Sequence, residues 1–207
     1  MNSGRKKYFF LIISLTAALF FKAVVFEFYR VSSDSMSDTI LSGDFVLINR
    51  VVFGTRTPNR ANFPVKNYGF NLPSFRIPAL RDIRQGEIVV IRNRYYPGTG
   101  NDLIKRIAAV PGQEIAIMNG FIFVDGLLHE TGYSDDDFFI PEEPEIEIFT
   151  IPSERYFVIG DNSVQSFDSR DFGLVKKEDI LGKVSLIYAS FDSSGSARWN
   201  RFFRIPE

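Results

Sequence analysis

Hydrophobic residues are distributed along this chain in two regimes. From Tyr8 to Phe21 there is no charge, and the apolar run continues to Tyr29, broken only by Lys22 and Glu27. Roughly 20 helical residues rising about 1.5 Å each cover about 30 Å, the thickness of one bilayer hydrocarbon core. The pattern therefore predicts a single transmembrane signal anchor over residues 8–29. Lys22 can snorkel to the far interface, and Glu27 lies at or beyond it. Arg5, Lys6 and Lys7 precede the run, so the positive-inside rule puts residues 1–7 in the cytoplasm and residues 30–207 outside. A cleaved secretion signal would end in a small-x-small site, whereas this run passes into Phe-Glu-Phe-Tyr. A buried soluble helix would rarely be apolar all round.

Beyond the run the pattern becomes strand-like. "DFVLINRVVF", "EIVVIRNRYY", "DLIKRIAAV", "EIAIMNGFIFVDGLLH", "YFVIG" and "KVSLIYASF" are short β-branched or aromatic stretches separated by Gly, Pro, Asn and Asp. Within "NGFIFVDGLLHE", Asp125-Gly126 predicts the tight turn of a hairpin. Proline-rich and acidic stretches predict insertion loops near 54–84 and 134–148. No internal repeat and no long soluble helix stand out. The expected fold class is mainly β: one N-terminal transmembrane helix followed by a mostly antiparallel β domain on the extracytoplasmic side of the cell membrane.

Composition narrows the chemistry. The formal charge is -1 over 207 residues, against the basic surplus of a nucleic-acid binder. There is no cysteine, which excludes disulfides and thiolate catalysis. A single histidine, His129, argues against a metal site built on several imidazoles. No cofactor or metal is expected. The 22 Phe and 8 Tyr suit a β-rich protein or one lying against lipid.

The serine-rich "VSSDSMSDTILSGDFVLI" directly follows the apolar run and raises the question of a nucleophile. A serine hydroxyl needs a proton acceptor. His129 sits on the far arm of the predicted hairpin with no carboxylate close in sequence to orient it, as a solvated hairpin histidine would. Lysine is the other choice, provided burial strips its charge. In "DLIKRIAAVPG" the two-residue period puts Leu103 and Lys105 on one face and Ile104 and Arg106 on the other. A surface strand carrying a Lys-Arg pair is the plain alternative. A third segment, "GDNSVQSFDSRDFG", packs short hydrogen-bonding groups and one arginine between glycines. Such a loop can tie itself together through an Asp–Arg bridge and hold Ser166 in a fixed place.

Taken together, the N-terminal run, "SDSM", "GDFV", "KRIAAVPG" and "GDNSVQSFDSRDFG" resemble, in order, the type I (leader) signal peptidases, membrane-bound Ser-Lys endopeptidases that remove signal peptides. "YGFNLP" and "RQGEIVVIR" look like the version with a longer insertion before the lysine segment. The resemblance implies Ser35 as nucleophile and Lys105 as general base. It implies that Ser33 joins the Ser35 N–H in an oxyanion hole and that Ser166 orients the lysine amine. Asp161 and Arg170 would form the pair holding the loop, with Asp168 in support. Val31, Met36, Ile40 and Leu103 would line shallow apolar subsites. The implied partners are secreted preproteins with small residues before the cleavage site, bound in extended form, and the lipid bilayer.

The pattern departs from the family at three places. Asp38 stands where proline is expected after Ser35-Met36, Gln113 replaces the aspartate of Pro-Gly-Asp, and Ser32 precedes Ser33 where proline is common. A carboxylate at position 38 could favour the charged lysine. An alternative reading is therefore a membrane-anchored relative that binds signal peptides without cutting them or assists another peptidase. A soluble self-cleaving Ser-Lys repressor would need a DNA-binding module where this chain has its apolar run. The segment "SARWNRFFRIPE" reads either as a second membrane contact or as a strand packed on the domain.

Overall fold

The computed structural model describes residues 8–15, 25–37, 39–56, 60–62, 69–71, 76–95, 102–118, 121–129 and 146–207. Residues 8–15 are helical. Among the described residues, no helix is long and apolar enough to cross a membrane. The middle of the expected anchor, residues 16–24, lies outside them, as do Asp38, residues 57–59, 63–68 and 72–75 of the first expected insertion loop and residues 134–145 of the second.

The remainder is β structure. In chain order the strands are β1 (Phe26–Arg30), β2 (Asp44–Asn49), β3 (Thr55–Arg56), β4 (Arg60–Asn62), β5 (Gly69–Asn71), β6 (Arg76–Ile77), β7 (Ile88–Ile91), β8 (Leu103–Ala109), β9 (Glu114–Met118), β10 (Phe121–Val124), β11 (Leu127–His129), β12 (Ile146–Thr150), β13 (Arg155–Ile159), β14 (Val175–Lys176) and β15 (Ile180–Ser190). Seven make one sheet in the order β1-β2-β15-β7-β8-β13-β14, and four make a second in the order β11-β10-β9-β12. Every pairing is antiparallel. The fold is thus mainly β, as the alternating pattern predicts.

One boundary moves. Residues 26–29, taken above as the end of the anchor, belong to β1, where Phe26 to Arg30 pair with Asn49 to Phe45 of β2. Apolar aromatic residues suit a half-buried sheet surface as well as a bilayer, so composition alone does not separate the two. The hairpin β10–β11 forms as expected around Asp125 and Gly126. Both have positive φ, 51° and 77°, the condition for a two-residue turn matching strand twist.

Alternation along the central strand β7 divides the core. Ile88 and Val90 join Val31, Met36, Ile40, Val46, Ile48, Val184 and Ile187 on one side of the sheet. Val89 and Ile91 join Ile107, Val158, Val175 and others on the opposite side. A third cluster links the ends of β8 and β13 to the small sheet through Ile115, Ile122 and Phe157. Each fully buried Ile or Val contributes about 1.5–3 kcal/mol.

The segment 191–207 straps across the serine turn. Arg201, from this strap, bonds both oxygens of the buried Asp44 at 3.1 and 2.6 Å and donates to the Thr39 carbonyl at 2.8 Å. Gly43, beside Asp44, has φ 89°, and a Cβ there would lie 2.0 Å from the Phe191 carbonyl oxygen. Only glycine fits that contact. "GDFV" is therefore a fastening for the strap. The strap packs on the domain through a bridge between Ile187 and Arg204, yet Trp199 and Phe203 remain 76% and 73% exposed.

Candidate active site

Lys105 lies on β8 opposite Val89 of β7. Its face of the strand is shared with Leu103 and Ile107, both part of the second cluster. The lysine is 2% exposed. Burial lowers its pKa from 10.5 to about 8; Asp168 opposes that drop, Arg170 reinforces it, and Asp171 and Asp161 oppose it. An amine in this setting is partly neutral near neutral pH.

Ser166 holds the amine. Its single hydroxyl proton goes to Asp168 Oδ2 at 2.6 Å, which leaves oxygen lone pairs for Lys105 Nζ, donating at 2.7 Å. Asp168 is fixed in turn by Arg170, whose Nε and Nη2 reach its two oxygens at 2.9 and 2.8 Å, and by the Gly160 N–H at 2.9 Å. Burial alone would raise the Asp168 pKa, but Arg170, Ser166 and the Gly160 N–H hold the carboxylate below its ordinary range. Asp168 also caps the short helix Ser169–Phe172, with Asp171 completing the capping box. The lysine, serine and carboxylate thus form one chain of hydrogen bonds.

The pairing of Asp161 with Arg170 expected above is replaced by two separate pairs. Arg170 bonds Asp168, whereas Asp161 receives Arg106 Nε at 2.7 Å and Nη2 at 2.6 Å. Register explains the exchange. Arg106 stands opposite Ile159 of β13, and Asp161, two residues on, falls on the same side of the sheet. Thr39 donates to the same Asp161 carboxylate at 2.5 Å, so Asp161 ties β8 to the end of the serine turn.

Ser35 occupies a tight turn in which Ser37 N–H bonds Asp34 O at 3.0 Å and Ile40 N–H bonds Met36 O at 2.6 Å. The polar loop docks directly on this turn. Asn162 N–H donates to Ser35 O at 3.1 Å, and Asn162 Nδ2 donates to Asp34 O at 3.0 Å and Ser37 Oγ at 2.9 Å. Gly160 sets the closeness of approach. A Cβ on it would lie 2.2 Å from Ser166 Oγ and 2.4 Å from Ser35 O. Both oxygens therefore lie within 2.4 Å of one point, which side-chain-free backbone alone can leave open. Ser35 Oγ lies 3.5 Å from Ser33 Oγ. The Ser35 and Lys105 side chains share no hydrogen bond here; Lys105 bonds Ser166, whose Oγ lies beside Gly160 close to the same point as the Ser35 carbonyl oxygen.

The other expected residues fall as follows. Val31, Met36 and Ile40 all belong to the first core cluster. Ile40 has no exposed surface and so backs the turn from beneath, while Leu103 is partly buried in the second cluster. His129 lies on β11 in the smaller sheet, which shares no strand with the sheet bearing Lys105. Gln113 is structural: it accepts from Val110 N–H at 3.0 Å and donates to Asp125 Oδ2 at 2.8 Å. Three residues not singled out for these roles are Gly160, Asn162 and Arg106. The Gly-Asp-Asn run ending a buried strand was the available signal for the first two. Among the described residues, no cluster of three or more His, Asp or Glu side chains could hold a metal ion.

The profile of "Signal peptidase, peptidase S26" matches residues 5–189. The chain is similar to signal peptidase I of Aquifex aeolicus strain VF5, 28% identical over 90% of this chain and 84% of that protein. It is also similar to a Staphylococcus aureus protein named inactive signal peptidase IA, 27% identical over 87% of this chain and 89% of that one. A crystal structure of a signal peptidase I from Enterococcus faecalis aligns with a TM-score of 0.38 and 23% identity, covering 52% of this chain and 100% of that one. The chain therefore belongs to the signal peptidase family, peptidase S26, a family of serine endopeptidases.

Proposed function

We propose that this protein removes signal peptides from exported preproteins, with Ser35 as nucleophile and Lys105 as general base, while anchored in the membrane by its N-terminal apolar run. The observation that carries the reading is a lysine buried to 2% exposure, with its amine held by Ser166 at 2.7 Å, beside the Ser35 turn. A neutral amine donating to Ser166 keeps its lone pair for the Ser35 proton. Ser35 Oγ attacks the scissile carbonyl carbon as its proton passes to Lys105 Nζ. The oxyanion faces the Ser35 N–H and the Ser33 hydroxyl, donors of a kind worth roughly 2.7–4 kcal/mol each in the barrier. The lysine ammonium then protonates the leaving amine, and water, deprotonated by the same amine, releases the acyl group from Ser35.

Strand β1 is one of the two outer strands of the seven-stranded sheet and leads through Val31 to Ser35, so its open edge suits an extended substrate. Val31 and Met36, with Ile40 behind them, would line that approach and select small side chains by exclusion, whereas Leu103 packs with the cluster on the opposite side of the sheet. The part of the apolar run before β1 ends at Val25, ten residues before Ser35, which keeps the site within about 35 Å of the bilayer surface at about 3.3–3.6 Å per residue. Asp161, Asp168 and Arg170 act as supports that fix the loop.

Purified full-length protein should cleave a preprotein in detergent. Lys105→Ala should abolish cleavage with folding intact, and Lys105→Arg should not restore it. Full activity in either variant would remove the lysine from the chemistry. A second reading, capture of signal peptides without cleavage, is favoured by the separate hydrogen-bond partners of Ser35 and Lys105. Absence of product from wild type, with Ser35→Ala binding a preprotein equally well, would establish it.

A further inference from the structure

A hydrogen bond joins two strands of the large sheet that are not neighbours. Tyr29 of β1 stands opposite Val46 of β2 and packs against the first core cluster. Asp102 lies one residue before β8, so the two-residue period puts it on the face of Ile104, which packs against the same cluster. The tyrosine hydroxyl donates to Asp102 Oδ2 at 2.9 Å, and the Asn93 N–H donates to Oδ1 at 3.2 Å. In the sheet, β2, β15 and β7 stand between β1 and β8. Strand spacings of about 4.8 Å would put the two about 19 Å apart across a flat sheet, so the bond exists because this sheet curls. Strand β15 changes register twice against β2 and once against β7, and such irregularities bend a strand.

The bond falls where β8 has least support. Strand β13 pairs with Arg106, Ile107 and Ala109, whereas among the described residues Leu103, Ile104 and Lys105 pair with β7 alone. Asp102 comes three residues before Lys105, and Tyr29 six before Ser35. Beyond both Ser35 and Lys105 the same two segments meet again. Arg106 Nη2 donates to Thr39 Oγ1 at 3.2 Å, and Arg106 and Thr39 both donate to Asp161. The segment carrying Ser35 is thus tied to the strand carrying Lys105 at its entry and at its exit. We infer that the Tyr29–Asp102 hydrogen bond positions Ser35 and Lys105 for the reaction, as the entry half of a two-point clamp whose exit half is Arg106, Thr39 and Asp161. Tyr29 and Asp102 act through the strands they join and are positioning residues. The inference rests on the reading of Ser35 and Lys105 as nucleophile and base.

Tyr29→Phe removes one oxygen and leaves the ring in the core. In full-length protein in neutral detergent, its kcat for preprotein cleavage should fall about tenfold, since small displacements at a catalytic site are costly, while KM changes by less than about twofold. Asp102→Asn should lower kcat several-fold. The double variant should be no slower than the slower single one, as for two halves of one contact. Hydrogen–deuterium exchange on the same preparations should be about tenfold faster in residues 31–37 of Tyr29→Phe and unchanged in β9 and β10. A rise in KM with kcat unchanged would assign the hydroxyl to substrate binding and overturn the inference. Constants unchanged in Tyr29→Phe, whatever its unfolding midpoint, would make the bond structural alone and overturn it too, as would additive losses in the double variant. A wild type that yields no product overturns the peptidase reading, and exchange then decides the tie by itself. Unchanged protection of residues 31–37 overturns the tie; local loss of protection upholds it.

Discussion

A charged lysine at position 105 is the least comfortable residue in the core, and that discomfort is measurable. Its pKa falls from 10.5 to about 8 on folding because burial disfavours the ammonium. Below pH 8 both folded and unfolded chains carry the proton, so the folded state bears the full cost of a buried charge. Between about pH 8 and 10.5 the unfolded chain holds more protons than the folded one, and stability rises with pH; above 10.5 the cost is gone. Lys105→Met removes the titration. It should be more stable than wild type at pH 7 by an amount on the order of 3 kcal/mol, with the gap closing between pH 8 and 10.5 in urea unfolding. A gap independent of pH would mean that the amine is solvated. At this scale the sequence was partly readable: Leu103 shares a strand face with the amine, but a surface strand with a Lys-Arg pair fitted the same segment, and burial shows only in the folded sheet. The partners of Asp161 and Arg170 were not. Both carboxylates lie within a short polar loop, and the choice between Arg106 and Arg170 depends on how β13 registers against β8, which no local pattern encodes.

Elements bring the residues together, chiefly through the end of β13. The register of β13 against β8 shifts between Phe157 and Val158, a bulge of the sort that re-aims a strand near a site. After it, Val158 faces Ile107 and Ile159 faces Arg106, so the next position, Gly160, comes level with Lys105. Gly160→Ala would push its methyl into Ser166 Oγ and Ser35 O. Cleavage should fall at least about tenfold, since small displacements at a catalytic site are costly, and circular dichroism should show the β fold retained. Wild-type activity in this variant would show that the spacing between the Ser35 turn and Ser166 is not critical. The strands, the Asp125-Gly126 hairpin and the polar loop were legible as elements because alternation and turn chemistry mark them. The first strand was hidden, since "FEFYR" continues an apolar run and only its pairing with β2 distinguishes it.

Across the whole molecule, an aromatic row connects Phe28, Tyr188, Phe45, Phe191, Phe202 and Trp199 by ring contacts of 4.8–6.0 Å. Trp199 at one end of the row and Phe203 beside it are exposed on the strap that Arg201 fastens to the serine turn, and Phe28 at the other end is exposed on β1. Aromatic rings interleaved with arginine suit a membrane interface. Trp199 is the sole tryptophan, so its fluorescence reports this face alone. On reconstitution into vesicles its emission should shift to the blue and be quenched by brominated acyl chains. An unchanged spectrum would leave the strap in water.

In the proposed mechanism Lys105, neutral when working, takes the proton of Ser35, and the sharpest check is the pH dependence of kcat/KM for preprotein cleavage by the reconstituted protein. That ratio reports groups titrating in the free enzyme. It should rise tenfold per pH unit below about 8 and level off above, in step with the Lys105 pKa. A profile flat from pH 6 to 10 would contradict the claim.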